Sequence, residues 1–104
     1  MQLQIIYWRD IPAQCILRSG RAKHSAPLPE RFEKAIDKCA MVTGLSGSDE
    51  YLQQWRRTQQ EWDGGDDINK ALEQIRERIE TEYPNARLNQ LIQQNGFETN
   101  KEEQ

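Results

Sequence analysis

Residues 5–20 read Ile-Ile-Tyr-Trp-Arg-Asp-Ile-Pro-Ala-Gln-Cys-Ile-Leu-Arg-Ser-Gly, and nowhere else in the chain do apolar, aromatic and β-branched residues crowd together without helical spacing. Such a run suits extended backbone. The Asp10-Ile11-Pro12-Ala13 segment inside it carries turn chemistry, because proline has no N–H to give to a ladder. The stretch therefore predicts two antiparallel strands folded back on each other. In the first, over residues 3–9, Leu3, Ile5 and Tyr7 share one face and Gln4, Ile6 and Trp8 share the other. Both faces carry apolar side chains, so this strand is expected to be central or covered on both sides. The second strand is expected over residues 13–19. A three-residue loop at Ile11-Pro12-Ala13 sets Trp8 opposite Ile16 and Tyr7 opposite Leu17, with Cys15 on the Tyr7 side. Arg18 then lies diagonal to Trp8, in reach of a cation–π contact of about 0.5–1 kcal/mol. A two-residue loop would shift the register by one and mismatch the faces.

A lone hairpin is marginal in water. A third strand is available at residues 21–26, after a turn at Ser19-Gly20. It is short, carries Lys23 and is stopped by Pro27, as a protected edge strand would be. Beyond Pro27 the pattern becomes helical. The first helix opens at Leu28-Pro29-Glu30, where proline fits a first turn and Glu30 suits the positive end of the helix dipole. Phe32, Ala35, Ile36, Cys39 and Ala40 form its apolar stripe, and Gly44 stops it. Ser48 caps an expected second helix with Asp49 and Glu50 in its first turn. Its stripe is Tyr51, Leu52, Trp55 and, where it frays, Trp62; Arg56 and Arg57 favour its C-terminal half. Asp63-Gly64-Gly65-Asp66 reads as a break. A third helix carries Ile68, Ala71, Leu72, Ile75, Ile79 and Tyr83 up to Pro84. Residues 85–94, with Leu88, Leu91 and Ile92, predict a short fourth helix or a bent continuation before Asn95-Gly96.

The predicted fold is α+β: an N-terminal antiparallel β-hairpin or three-stranded meander packed against three to four α-helices. One domain is expected over residues 1–97, with strands in 1–27 and helices in 28–96. Residues 98–104 are expected to be a disordered tail.

Charge is unevenly spread. Residues 1–28 hold four bases (Arg9, Arg18, Arg21 and Lys23) and one acid, Asp10, whereas residues 63–104 hold ten acids and five bases. A dipolar layout of this kind steers an anionic partner to one end, or simply forms a solvated surface. The isoelectric point near 5.2 argues against nucleic acid as a partner, because domains that bind it are usually basic. No basic segment precedes a signal-like apolar run, and no stretch is long enough to span a bilayer, so a cytoplasmic location without a membrane partner is expected.

Catalytic motifs are missing. The two cysteines, Cys15 and Cys39, form no Cys-x-x-Cys pair, and each sits among apolar neighbours, where a free thiol acts as a small hydrophobe. With a single histidine, His24, no metal or cofactor is expected. There is no glycine-rich elbow, phosphate-binding loop or dinucleotide fingerprint. Asp66-Asp67 beside two glycines reads as a helix cap. The chain is expected not to be an enzyme.

One cluster stands above background: Arg18-x-x-Arg21-x-Lys23-His24, with Arg9 placed across the hairpin. Arginines at a strand turn can clamp a phosphate or carboxylate through paired N–H donors. Trp8 and Ile16 form a second candidate surface if helices cover only the Tyr7/Leu17 face, since Trp and Arg are enriched at binding hot spots. The candidate binding residues are thus Trp8, Arg9, Ile16, Arg18, Arg21 and Lys23. The expected function is an accessory or regulatory module that binds another protein, with a homodimer through the hairpin edge as one form of partner. The alternative is an anion-, nucleotide- or RNA-binding module built on the basic hairpin, serving as an enzyme accessory subunit.

The run Ile6-Tyr7-Trp8-Arg9-Asp10-Ile11-Pro12-Ala13-Gln14 resembles the start of a small bacterial domain family labelled "virulence factor". Gly20-Arg21, Leu28-Pro29-Glu30-Arg31-Phe32, Ala35-Ile36-Asp37, Ala40-Met41, Gly44-Leu45 and Tyr51-Leu52 to Trp55-Arg56 continue the likeness in order, over roughly residues 5–57. The resemblance implies a domain found alone or within the larger conserved virulence factor C, beside helical repeats and an iron–sulfur-scaffold-like domain. The resemblance carries no established catalytic activity and transfers no functional residues.

Overall fold

A computed structural model describes residues 1–63 and 67–98 of the chain. Its elements are β1 (Gln2–Trp8), β2 (Ile11–Ser19), β3 (Ala22–Pro27), α1 (Glu30–Val42), α2 (Asp49–Gln53), β4 (Trp55–Glu61), α3 (Ile68–Glu82) and α4 (Asn85–Gln93). The strands make one antiparallel sheet in the order β3-β2-β1-β4. The fold is α+β, and β1 is a central strand, in keeping with its two apolar faces.

The hairpin closes differently from the expected loop. Its turn is the two-residue pair Arg9-Asp10, so Trp8 lies opposite Ile11 and Tyr7 opposite Pro12. The register then shifts between Ile6 and Tyr7, and Ile6 pairs with Gln14, which leaves Ala13 as an extra residue in β2. From there Ile5 faces Cys15, Gln4 faces Ile16, Leu3 faces Leu17 and Gln2 faces Arg18. The expected pairs Trp8–Ile16 and Tyr7–Leu17 do not form, and the Trp8–Arg18 contact is absent because Arg18 sits at the far end of the strand. The face assignment nevertheless holds. A two-residue loop alone would mismatch the faces; the bulge adds one residue and restores the parity.

Arg9 adopts a left-handed φ of 55°, unusual for a residue with a Cβ. Its surroundings hold it there. Its N–H donates to the Gln54 carbonyl at 3.0 Å, its Nε to Gln54 Oε1 at 3.1 Å and its Nη1 to the Asn95 carbonyl at 2.6 Å. Asp10 completes the clasp. Its N–H donates to the Gly96 carbonyl at 2.8 Å, while its carboxylate accepts from Arg56 Nη2 at 2.8 Å and from the Glu98 N–H at 2.6 Å. The turn thereby ties the start of β4 and the chain after α4 to the sheet.

The helices share one core with the sheet. α3 lies across β2 and β3 and presents Ala71, Leu72, Ile75 and Ile79 to the core that contains Leu3, Ile5, Cys15 and Leu17. α1 buries the stripe Phe32, Ala35, Ile36, Cys39 and Ala40 that its spacing predicts, against β2 and α4. Trp8 points to the opposite face from Tyr7, yet it is fully buried and belongs to the same core cluster. Its indole N–H donates to the Tyr51 carbonyl at 2.9 Å, and the two rings lie 5.5 Å apart. Arg31 fastens α1 to α3 by donating to the Tyr83 and Glu80 carbonyls at the C-terminal end of α3.

The expected second helix forms but is cut short. Ser48 does cap a helix by accepting the Tyr51 N–H, but α2 ends at Gln53, and Trp55, Arg56 and Arg57 begin strand β4. The division into strands before residue 28 and helices after it therefore fails at 55–61. β4 pairs with β1 along its whole length, from Gln2 opposite Glu61 to Trp8 opposite Trp55. Backbone pairing holds it, since six of its seven residues are exposed. β1 and β2 are both interior strands, so the hairpin has no free edge for a homodimer; the free edges belong to β3 and β4. Residues 64–66 of the expected break and 99–104 of the expected tail lie outside the described residues.

Candidate interaction surface

Strand alternation places Gln2, Gln4, Ile6, Gln14, Ile16 and Arg18 on the face turned away from α3. α1 and α2 cover this face only at the Trp8 end. Beyond it, Ile16 is 7 % exposed but stands outside the core cluster, screened by its neighbours in the sheet. Gln4, also 7 % exposed, is satisfied there by Arg57, whose Nη1 donates to Gln4 Oε1 at 3.5 Å.

A groove of about 320 Å³ opens where this face meets α1 and α2. Ile6, Leu28, Ile36, Tyr51 and Trp55 supply its apolar lining. Glu33 and Asp37, one turn apart on α1, form an acidic wall, and neither has an ion-pair partner among the described residues. Burial pushes the Tyr51 hydroxyl above its ordinary range, and the Asp37 and Glu33 charges push it further. Trp55 stands edge-on to Tyr51 with ring centres 6.1 Å apart and is 37 % exposed. A shallower hollow of about 210 Å³ shares Ile6 and Trp55 and continues to Arg56 and Arg57. Trp55 thus separates an acidic side from a basic one.

The residues singled out in the sequence fall into three places. Trp8 is sealed inside the core, which removes the indole from any contact surface. Arg9 belongs to the hairpin clasp, seven residues along the chain from Gln2, the partner of Arg18, and so roughly 23 Å from Arg18 at strand spacing; it is not part of the basic cluster. Arg18 and Lys23 are direct cross-strand neighbours, with Ile16 one step along the same face and Arg21 exposed in the β2–β3 turn. None of the three cations has an ion-pair partner among the described residues.

Cys15 and Cys39 are both buried and unbridged. The Cys15 thiol donates to the Ala26 carbonyl at 3.8 Å, and Cys39 lies against Gly96. Burial pushes both thiols up, away from the thiolate form that reacts. Among the described residues neither hydrogen-bonds His24.

The family model described as Virulence factor matches residues 6–92. The chain belongs to that family. The match reaches well past residue 57 and takes in β4, α3 and nearly all of α4, so the Virulence factor domain here includes both the sheet and the helices that cover it. Comparison with curated proteins and with solved structures gives no match. Among the described residues no helix is long and apolar enough to cross a membrane. In this Virulence factor domain the run that carries the resemblance is engaged in folding: Trp8 and Pro12 are buried, and Arg9 and Asp10 form the clasp. Sequence spacing does not reveal the groove: Tyr51 and Trp55, four apart, fit a helical stripe, and Glu33 and Asp37 look like ordinary exposed positions of α1.

Proposed function

We propose that this Virulence factor domain is a non-enzymatic accessory module that binds a segment of another protein in the groove beside Trp55. The groove is the observation that carries the reading: an apolar slot with an exposed tryptophan at its mouth and two unpaired carboxylates along one wall. Its chemistry selects a segment that inserts an aliphatic or aromatic side chain and presents a lysine or arginine to Glu33 and Asp37. Trp55 acts as the anchor, the role in which tryptophan most often dominates an interface. Panning a displayed library of random peptides against the whole chain tests this. Enriched peptides should combine an apolar anchor with a neighbouring base. Trp55→Ala should weaken them by about thirtyfold, the equivalent of a hot-spot loss of roughly 2 kcal/mol. Glu33→Gln with Asp37→Asn should erase the preference for bases. Failure to enrich any sequence, or enrichment indifferent to these substitutions, rejects the reading.

A second reading rests on Arg18 and Lys23. Like charges directly opposite each other in a sheet repel, and with Arg21 nearby this corner favours a small anion that neutralises them. Inorganic phosphate, nucleotides or RNA should then raise the melting temperature in a salt-sensitive way, and Arg18→Ala with Lys23→Ala should abolish the rise. An unchanged melting temperature across that panel retires the anion site.

A further inference from the structure

We propose that the outer edge of β4 pairs with β4 of a second copy of this chain, joining two sheets into one continuous sheet. The backbone geometry identifies which groups are free. Hydrogen bonds close both ends of the β1–β4 ladder: the Trp62 N–H donates to the Met1 carbonyl at 2.8 Å, and the Arg9 N–H donates to the Gln54 carbonyl at 3.0 Å. Antiparallel ladders alternate, so Arg56, Thr58 and Gln60 bond inward to β1. Trp55, Arg57, Gln59 and Glu61 direct their N–H and C=O groups outward, and no element packs along that side among the described residues.

The two free edges differ. β3 carries Lys23 and closes on Pro27, features that keep an edge from pairing. β4 holds no lysine, proline or bulge in its seven residues. Its charges are ordered, with Arg56 and Arg57 toward the start and Glu61 at the end. Antiparallel self-pairing centred on Gln59 sets Arg57 opposite Glu61 of the second copy, and Glu61 opposite Arg57 of the second copy. In that register Arg57, Gln59 and Glu61 all meet outward residues of the second copy, so the ladder and the charges agree over those three positions. Centring on Thr58 would pair all four outward residues but set Arg57 opposite Gln59 and leave the charges unmatched. Centring on Arg57 would oppose two arginines, and parallel pairing would align like with like. Second-copy pairing at this edge stands apart from the peptide groove, which lies on the face of the sheet.

Sedimentation velocity over a range of concentrations tests the proposal, with circular dichroism to check folding. The wild type should shift from monomer toward dimer as concentration rises, and the shift should weaken with salt. Arg57→Glu should return it to monomer, and adding Glu61→Arg should restore the dimer. Gln59→Pro removes an outward N–H at the centre of the edge without touching the β1 ladder, and should also give monomer. A wild type that stays monomeric throughout, or a dimer that survives both Arg57→Glu and Gln59→Pro, overturns the proposal. A dimer lost in Arg57→Glu and not regained in the double variant overturns the register. Trp55→Ala separates the two readings: it should lose peptide binding while its sedimentation stays that of the wild type.

Discussion

Trp8→Ala is expected to cost about 3–5 kcal/mol of folding stability, the range for deleting a fully buried aromatic ring. A domain of this size has only about 5–15 kcal/mol to lose. The indole has no exposed surface, so its removal leaves a cavity rather than a dent. The site cannot easily collapse. Trp8 is clamped between the hairpin turn and Tyr51, whose carbonyl accepts its N–H at 2.9 Å, and the Arg9 guanidinium lies 5.3 Å from its ring centre. Urea unfolding should show the midpoint falling, and thermal unfolding should drop by more than about 12 °C, at about 4–8 °C per kcal/mol for a small domain. Trp8→Phe keeps most of the volume and loses the hydrogen bond, so it should cost only about 1–2 kcal/mol. A loss under about 1 kcal/mol for the alanine variant would mean that the ring does not wedge the hairpin against α1 and α2.

Gly96→Ala is the second large effect. Gly96 is buried at a φ of 89°, just past the end of α4, and its N–H returns to the Leu91 carbonyl at 2.7 Å. A Cβ there would meet Arg9 Cδ at 3.0 Å and Cys39 Sγ at 3.1 Å. Two costs therefore add: roughly 1–2 kcal/mol for a left-handed backbone with a side chain, and about 1–3 kcal/mol for forcing apart a packed site. Gly44→Ala separates them. Gly44 has a similar φ of 77°, but a Cβ there meets nothing within 4 Å. Its loss should be the backbone cost alone, visible as a smaller shift in the urea midpoint. Equal losses at the two positions would show that Arg9 and Cys39 yield freely, and that the clasp around the hairpin turn is soft.

The clasp also explains how the first and last parts of the described chain become one unit. Arg9 and Asp10 reach Gln54, Arg56, Asn95, Gly96 and Glu98, all far away in sequence. An arginine at a hairpin turn looks like a free cation when only its neighbours in sequence are known. Its partners here are carbonyls and a carboxamide brought in by folding, and a guanidinium so engaged has little left for a ligand. Arg18, Arg21 and Lys23 carry the same formal charge and find no such partners among the described residues. Charge alone could not separate the two groups.

What the residues determined unaided is whatever has a local period. The stripes of α1, α3 and α4 emerge because each repeats every three or four positions within one helix, and β3 because lysine and proline mark an edge. The assignment of Tyr7 and Leu17 to one face and Trp8 and Ile16 to the other survives for the same reason: alternation belongs to the strand itself. Tertiary structure decided the rest. β4 has almost no apolar signal, because its stability comes from hydrogen bonds donated and accepted by β1, roughly fifty residues earlier in the chain. The sealing of Trp8 depends on Tyr51 of α2, 43 residues away in sequence. Side-chain periodicity can be read along a single segment, whereas backbone pairing and burial are properties of two segments that only the folded chain brings together.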